Sequence, residues 1–217
     1  MTETDPLQKE YSKKIEDNGE IMFIGSNNRD NFNEHAETHF TYLIEQGLQP
    51  NMVVLDVGCG ALRTGSKLVP YLDANNYYGI DRMPELIEFG LNEVLEQDVV
   101  FEKNPTFSVN SIFDLNFMDK KADIVWCQSL MSHLDENDIK LCLNNVKNIC
   151  KEETKIYFTY FQQDGQDRNI NKPSHSKIDI RYDQKVMDSI VHEVGLKTIF
   201  NGTIGHPRGQ WMYICRI

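Results

Sequence analysis

The chain has 217 residues, a formal net charge of −11 at pH 7 and an isoelectric point of about 5.0. This length suits one domain of ordinary size, or one domain with an appendage, and is enough to bury a sizeable core. The negative charge, and the lack of any run of five lysines or arginines, argue against binding to nucleic acid or an anionic membrane. We therefore expect a small or neutral partner, although a local basic pocket could hold a phosphorylated one.

Cysteine usage and hydropathy indicate a cytoplasmic protein. The five cysteines are odd in number and include no C-x-x-C pair, so a disulfide framework and a zinc site are both disfavoured. The first residues contain no apolar signal region, and no apolar run approaches ~18 residues. Neither secretion nor a membrane span is therefore expected.

The first predicted elements are helical. Residues 5–17 predict a polar helix, and residues 21–25 predict an extended segment or a buried loop. A longer helix is expected over residues 31–46, where Gly47 would end it. Helices placed before the core are candidates to cover an active site.

One flank of that longer helix carries His35, His39 and Tyr42, beside its apolar stripe. These side chains are candidate contacts to a substrate if the helix covers the site. His35 and His39 stand one helical turn apart and could share a metal, but the sequence offers no third ligand near them. A partly exposed helix flank is therefore the favoured interpretation, and no metal is predicted.

Residues 52–81 have the pattern of the first half of a nucleotide-binding βαβ unit. The elements are an apolar strand at 53–55, a glycine turn at 56–60, a helix at 62–71 and a strand at 77–80 that ends on Asp81. Gly58 and Gly60 allow a sharp turn and let a ligand lie against the backbone. Asp81 is placed to accept both hydroxyls of a ribose.

The glycine spacing argues against a dinucleotide cofactor. A dinucleotide fingerprint has two residues between its second and third glycines, whereas four separate Gly60 from Gly65. A nicotinamide oxidoreductase is therefore disfavoured. A tight turn that binds no ligand stays an alternative.

The sequence D-V-G-C-G at 56–60 instead resembles the first motif of class I S-adenosylmethionine-dependent methyltransferases, an acid followed by x-G-x-G. The resemblance covers residues 50–217 and implies a doubly wound, Rossmann-like α/β fold with seven strands, mostly parallel, and an antiparallel last strand. Residues 1–49 would form an N-terminal helical cap. It also implies S-adenosylmethionine as cofactor. The cofactor-binding residues that it implies are Asp56, Gly58, Cys59, Gly60, Asp81, Arg82, Met83, Asn110, Ser111, Ile112 and Gln128.

One of these positions departs from the family pattern. Members often place an acid after the third strand, where it binds the adenine amine. This chain offers Ser111 there, with Asn110 beside it, and either side chain could accept that hydrogen bond.

The remaining elements follow from periodicity and capping residues. They are a helix from Pro84 to about residue 97, strands at 106–110 and 122–127, a helix capped by Asp135 that runs through Cys150, a strand at 155–160, a helix from Asp183 to Gly195, and strands at 197–201 and 211–217. Residues 161–181, between the strand at 155–160 and the helix that begins at Asp183, show no periodicity. This segment is either a lid over the acceptor or a disordered insertion.

Two histidines and two arginines are candidates for the chemistry. His133 lies in a segment that resembles the family's stretch beside the methyl-transfer centre, and is either the general base or a packing residue at a helix start. His206 is the second candidate base. Arg63 and Arg208 could hold an anionic acceptor. The alternative for Arg63 is a surface position on a helix, and the alternative for Arg208 is a structural hairpin.

Four segments together, G-C-G-A-L-R-x-G, Y-Y-G-I-D, Q-S-L-x-x-H-L and G-H-P-R-G-Q, resemble small bacterial methyltransferases that modify surface polysaccharides and other glycosides. The resemblance suggests O-methylation of a sugar, nucleotide-sugar or phosphoryl-type acceptor in capsule or surface polysaccharide biosynthesis. N- or C-methylation of another small metabolite, or cofactor binding without catalysis, stays open. A homodimer is compatible with the sequence.

Overall fold

The structure, a computed structural model, describes residues 6–163, 172–175, 177–206 and 208–217. It divides into two compact units, Met1–Ser111 and Ile112–Ile217. None of the described helices is long and apolar enough to cross a membrane. All five cysteines are buried and have free thiols.

The first unit contains six helices and three strands among its described residues. They are α1 (Pro6–Asn18), α2 (Glu20–Phe23), α3 (Arg29–Glu45), β1 (Val54–Val57), α4 (Gly65–Tyr71), β2 (Tyr77–Asp81), α5 (Pro84–Phe89), α6 (Gln97–Lys103) and β3 (Thr106–Val109), with a π-helical turn at Gly90–Val94 after α5. Strand β2 pairs in parallel with β1 on one side and β3 on the other. All four residues of β1 are buried, as expected for a parallel strand.

The N-terminal helices share a core with the two turns that follow β1 and β2. Tyr11 and Ile15 of α1, Phe23 of α2 and Phe32 of α3 are buried together with Ala61, Met83 and Leu86. Burying a side chain of this size stabilises a fold by roughly 1.5–3 kcal/mol relative to leaving it exposed. The helices are therefore held against the turns predicted to bind the cofactor.

The second unit carries the antiparallel part of the sheet. Its elements are β4 (Ala122–Cys127), a 3₁₀ turn (Met131–His133), α7 (Glu136–Asn148), β5 (Cys150–Gln162), β6 (Arg181–Tyr182), α8 (Gln184–Glu193), β7 (Lys197–Thr203) and β8 (Trp211–Arg216). Strand β5 runs parallel to β4, and β8 lies antiparallel between β5 and β7. The two-residue strand β6 pairs with the end of β5. The predicted fold class is confirmed: the sheet has seven main strands, mostly parallel, with an antiparallel last strand.

Two predicted elements were wrong in detail. Residues 20–23 form a short helix, α2, where an extended segment or a loop was predicted. The helix predicted after Pro84 ends at Phe89 and gives way to the π-helical turn and a separate helix, α6. A Cβ at Gly90 would lie 2.5 Å from Leu62 Cγ, so close packing at that turn requires glycine. Sequence periodicity contains no information about such packing.

Other elements shifted at their ends. Helix α4 begins at Gly65, because Leu62 adopts a left-handed conformation with φ of 56°. Strand β5 extends to both sides of the predicted 155–160. The segment 161–181, which was predicted to be a loop, contains the last residues of β5 and the first residue of β6. Its residues 164–171 and 176 lie outside the described residues. The predicted domain boundary at residue 49 stays a prediction.

The capping residues of the second unit predict a stability change. The Asp135 carboxylate accepts hydrogen bonds from the backbone N–H groups of Asn137 and Asp138, at 3.0 Å each. We expect Asp135→Ala to lower the free energy of unfolding by about 1 kcal/mol, measured by urea titration. Asn144→Ala, at an exposed position within α7, is the matched control. An equal or smaller loss at Asp135 would show that the cap contributes nothing.

Candidate active site

The glycine turn after β1 adopts the strained geometry that its sequence predicts. Gly58 and Gly60 have φ of 74° and 53°, in the left-handed region that favours glycine. The backbone N–H groups of Gly58 and Cys59 both donate to the carbonyl of Ile80, at 2.8 and 3.1 Å. The turn therefore lies against the carboxyl end of β2.

The Asp81 carboxylate joins this turn to the next one. Its Oδ2 accepts the backbone N–H of Gly60 and its Oδ1 accepts that of Met83, each at 2.9 Å. Burial raises the pKa of Asp81, while these hydrogen bonds and the charge of Arg82 oppose the shift. A carboxylate oxygen has two lone-pair sites, so each oxygen can accept one further hydrogen bond from a ribose hydroxyl. The residue fits its predicted role.

The Asp56 carboxylate pairs with a tyrosine inside the first unit. It is buried, and its Oδ2 accepts a hydrogen bond of 2.8 Å from the Tyr77 hydroxyl. Burial raises the pKa of Asp56 to about 7, the Tyr77 hydrogen bond opposes this, and the negative charge of Asp81 adds to it. A Cβ at Gly65 would lie 2.8 Å from the same hydroxyl, so the third glycine leaves room for this pair.

The Cys59 thiol is a packing group. It is buried, and burial together with the charges of Asp81 and Asp56 raises its pKa well above the ordinary value. Because the thiolate is the reactive form, the thiol is protected from chemistry at neutral pH.

The structure brings Arg63 and His39 into one buried polar cluster of the first unit. Arg63 Nη1 donates to the Ile24 carbonyl at 3.3 Å and to Ser26 Oγ at 3.1 Å. His39 Nδ1 lies 3.1 Å from the hydroxyl of Thr64, the residue after Arg63. The guanidinium is buried, so the predicted alternative of a surface helix position for Arg63 was wrong.

The other two α3 candidates lie along the same helix. His35 and His39 are both buried, so the predicted partly exposed flank was wrong for these two residues. His35 Nε2 lies 3.3 Å from Asn31 Nδ2, and the two imidazole centroids are 6.4 Å apart. Burial and the charge of Glu45 raise the pKa of Tyr42, which remains partly exposed. No group of three or more metal-binding side chains occurs in the described part of the chain.

The remaining predicted cofactor contacts of this unit differ in exposure. The guanidinium of Arg82 lies 5.2 Å from the Tyr11 ring centroid, a cation–π distance, and Met83 is buried. The Asn110 backbone N–H donates to the Asp81 carbonyl at 3.1 Å. Ser111 is exposed, as is Ile112, the first residue of the second unit.

In the second unit, the hydrogen-bond partner of the His133 ring shows which of its two nitrogens carries the hydrogen. Its Nδ1 lies 3.1 Å from the carbonyl oxygen of Ile178. A carbonyl can only accept, so Nδ1 carries the hydrogen and Nε2 keeps its lone pair. Burial lowers the pKa of His133, against the raising effects of the Ile178 carbonyl and Asp179, and the ring is neutral at pH 7. A neutral imidazole with this tautomer can accept a proton at Nε2.

His206 is less suited to that role because both its ring nitrogens are engaged. Nδ1 accepts the backbone N–H of Arg208 at 3.2 Å, and Nε2 lies 3.2 Å from the side-chain amide of Gln128. The Gln128 atom at that distance is its side-chain nitrogen, Nε2. His206 therefore contacts Gln128, the predicted cofactor contact after β4.

A buried polar network fixes the turn that carries Gln128 and His133. Thr159 Oγ1 accepts the Ser129 backbone N–H at 2.7 Å and donates to Gln210 Oε1 at 2.6 Å. Ser129 has φ of 56°, a strained value for a residue with a side chain. Gln210 and Thr159 are fully buried. Sequence reasoning missed this network, since nothing in the sequence links positions so far apart.

Sequence reasoning also missed the Tyr77 and Ile178 partners. Tyr77 follows a polar turn and is the first residue of β2. The one signal in the sequence was the four-residue gap between Gly60 and Gly65, which indicated that Gly65 makes room for a side chain. The Ile178 carbonyl had no sequence signal. Arg208 has its guanidinium 5.6 Å from the ring centroid of Phe161, an aromatic residue that the sequence pattern did not connect to it.

The raised pKa of Asp56 predicts a pH-dependent stability. The folded state binds the proton more tightly than the unfolded chain, whose Asp pKa is about 3.9. This contribution is fully present below about pH 4 and is lost as pH rises to about 7, at up to about 1.4 kcal/mol per pH unit. Between pH 4 and 7, wild type should therefore lose stability relative to Asp56→Asn in urea titrations.

Asp73→Asn, at an exposed position of the same unit, is the control and should track wild type at every pH. Parallel curves for wild type and Asp56→Asn would show that Asp56 titrates normally.

Comparison with known proteins agrees with this geometry. The sequence profile of a family described as "Methyltransferase domain" matches residues 48–200. Magnesium protoporphyrin IX methyltransferase from Synechocystis, with bound S-adenosylmethionine, aligns over 100% of this chain and 99% of its own, at 12% identity and a TM-score of 0.69. An S-adenosylmethionine-dependent methyltransferase from Clostridium acetobutylicum aligns over 95% and 98%, at 12% identity and a TM-score of 0.62.

A third similar structure is a phosphoethanolamine N-methyltransferase from Haemonchus contortus, in complex with phosphoethanolamine and S-adenosylhomocysteine. It aligns over 97% of this chain and 48% of its own, at 13% identity and a TM-score of 0.69. Identities this low show a shared fold, whereas the family match extends over more than half of the chain. The chain therefore belongs to the methyltransferase domain family, and it is an S-adenosylmethionine-dependent methyltransferase with the class I fold.

Proposed function

We propose that this enzyme methylates an oxygen of a sugar, nucleotide-sugar or phosphoryl-type acceptor, in the cytoplasm, during capsule or surface polysaccharide biosynthesis. The four sequence segments that resemble glycoside-modifying methyltransferases support the acceptor class. The observation that carries the chemistry is the Nδ1–H tautomer of His133, because a hydroxyl acceptor needs a group that takes its proton.

The first unit has the residues to hold the cofactor. The Asp81 carboxylate would accept the ribose hydroxyls, and the turn at Gly58 and Gly60 would let the ligand approach the backbone. Bound S-adenosylmethionine supplies a methyl group activated by a sulfonium. The fit is chemical, since each Asp81 oxygen retains acceptor capacity at the end of a parallel strand, where ligands of open α/β sheets bind.

His133 would act as the base. Its Nε2 lone pair takes the proton from the acceptor hydroxyl, while the Ile178 carbonyl holds the Nδ1–H and fixes the orientation of the ring. The imidazolium that forms has the Asp179 carboxylate 3.9 Å from Nδ1, which stabilises the positive charge. His206, whose two nitrogens are engaged, would position Gln128 instead.

An acceptor that is already ionised would need no base. A phosphoryl oxygen carries its own negative charge, so Arg208, which is partly exposed, would then hold the acceptor. The reaction could also occur on nitrogen or carbon, and one experiment separates these products. Labelled S-adenosylmethionine is incubated with the sugar and nucleotide-sugar pool of the source organism, and the methylated atom of the product is identified. A product without a methoxy group would overturn O-methylation.

Loss of the Asp81 carboxylate should weaken cofactor binding. We expect Asp81→Ala to raise the Kd for S-adenosylmethionine by several-fold to about a hundredfold, equivalent to ~1–3 kcal/mol from charge-assisted hydrogen bonds. Isothermal titration calorimetry measures it. Asp73→Ala, which removes an exposed carboxylate from the same unit, should leave the Kd unchanged. Unchanged affinity in a folded Asp81→Ala protein would remove this residue from the site.

The proposed base predicts a specific loss of turnover. His133→Ala should lower kcat by ~10²–10⁴ with little change in cofactor affinity, and His133→Gln should not restore it, because an amide cannot take a proton at neutral pH. In wild type, kcat should fall at acid pH with an apparent pKa below the ordinary imidazole value of ~6.5, since the pKa of His133 is lowered.

The control is His192→Ala, which removes an exposed histidine of α8. A loss below tenfold in His133→Ala would indicate a packing role. The base would then be sought at His206 or among the α3 side chains. If kcat of wild type did not fall at acid pH, the result would favour an ionised acceptor.

A further inference from the structure

Two arginines of the second unit stack on one buried aromatic ring. The guanidinium carbon of Arg181 lies 5.0 Å from the ring centroid of Phe161, and that of Arg208 lies 5.6 Å from it. The two charged groups are therefore within about 11 Å of each other. The chain has a net charge of −11, so two positive charges this close together stand out from its overall composition.

The backbone brings the three residues together. Arg181 in β6 is the register partner of Phe161 at the end of β5, so the two side chains leave the strands on the same face. Arg208 lies in the turn that leads into β8, which also pairs with β5. Its backbone N–H donates to His206, which fixes the turn. Two of the three residues are therefore held by strand pairing, and the third by a turn.

Both guanidinium groups keep their donors available. Neither forms a hydrogen bond or an ion pair with another residue in the described ranges, whose ion pairs lie elsewhere. Arg181 is exposed and Arg208 is partly exposed, while Phe161 beneath them is buried. Stacking on a ring uses the face of a guanidinium and leaves its in-plane N–H groups free to donate. The Asp179 carboxylate lies 3.9 Å from His133 Nδ1.

The site adjoins the proposed base through the segment that carries Arg181. Ile178 accepts from the His133 ring at 3.1 Å, and the Ile180 backbone N–H donates to the Ser132 carbonyl at 2.7 Å. Arg181 is the next residue. The Tyr182 hydroxyl then donates to the Leu134 carbonyl at 2.6 Å. Arg181 therefore belongs to a stretch that is hydrogen-bonded along the whole turn containing His133.

We propose that Arg181 and Arg208, stacked on Phe161, form a phosphoryl-binding site beside His133 that holds the phosphate or diphosphate group of the methyl acceptor. Two guanidinium groups match the charge of a phosphate monoester, which is −1.5 to −2 at neutral pH, better than the single charge of a carboxylate. Their planar donors suit phosphate oxygens in bidentate geometry. The inference rests on the proposed function and narrows its acceptor to a phosphorylated molecule.

Isothermal titration calorimetry with inorganic pyrophosphate tests the site, on protein saturated with S-adenosylhomocysteine and on protein without it. We expect wild type to bind pyrophosphate, and Arg181→Gln and Arg208→Gln each to raise the Kd by about tenfold or more, as for loss of a charged hydrogen-bond donor. Arg181→Lys and Arg208→Lys keep the charge but lose the planar fork, so they should give an intermediate loss. Arg216→Gln, which removes an exposed arginine at the end of β8, is the charge-matched control.

Parallel titrations identify the ligand class. Binding of inorganic phosphate as tight as that of pyrophosphate would indicate a monoester acceptor, and tighter pyrophosphate binding a diphosphate; both support the site. Tighter binding of malonate would overturn it in favour of a carboxylate. No binding by wild type, unchanged affinity in the arginine variants, or an equal loss in Arg216→Gln would also overturn it. The affinity for S-adenosylhomocysteine should be unchanged in every variant. If wild type did not bind S-adenosylhomocysteine at all, the proposed function itself would be refuted.

Discussion

The two backbone N–H bonds to Asp81 join the two turns on which the proposed cofactor site depends. The carboxylate accepts one donor from the glycine turn after β1 and one from the turn after β2, at 2.9 Å each. Both turns leave parallel strands, so nothing in the strand pairing alone sets the distance between them. Burial of a carboxylate is costly unless its oxygens are hydrogen-bonded, and these backbone donors offset that cost. This contact, together with the N–H bonds from Gly58 and Cys59 to the Ile80 carbonyl, fixes the position of the turn.

Much of this could be predicted from the sequence because the signals are local. An apolar run followed by glycines predicted β1 and the sharp turn at Gly58 and Gly60, and Asp81 stood at the expected distance. Asp135 and Asp183 were identified as caps because a short carboxylate satisfies free N–H groups at a helix start. These features depend on residues within one turn or strand.

The rest depends on contacts between distant residues. The π-helical turn follows from close packing of Gly90 against Leu62, and the burial of His39 from its contact with Thr64. The turn that carries His133 is held by a network that includes Gln210, and by a carbonyl from a segment that shows no periodicity. A sequence pattern reports the face that a residue presents. It does not report the partner that a polar side chain finds after folding.

The account depends above all on the claim that Asp81 and the glycine turn hold S-adenosylmethionine. A crystal structure of the enzyme with S-adenosylhomocysteine, which is the demethylated cofactor, tests this most directly. We predict the ribose hydroxyls within hydrogen-bond distance of the Asp81 carboxylate, whose oxygens still accept from Gly60 and Met83. A ribose bound elsewhere, with no contact to Asp81, would contradict the account.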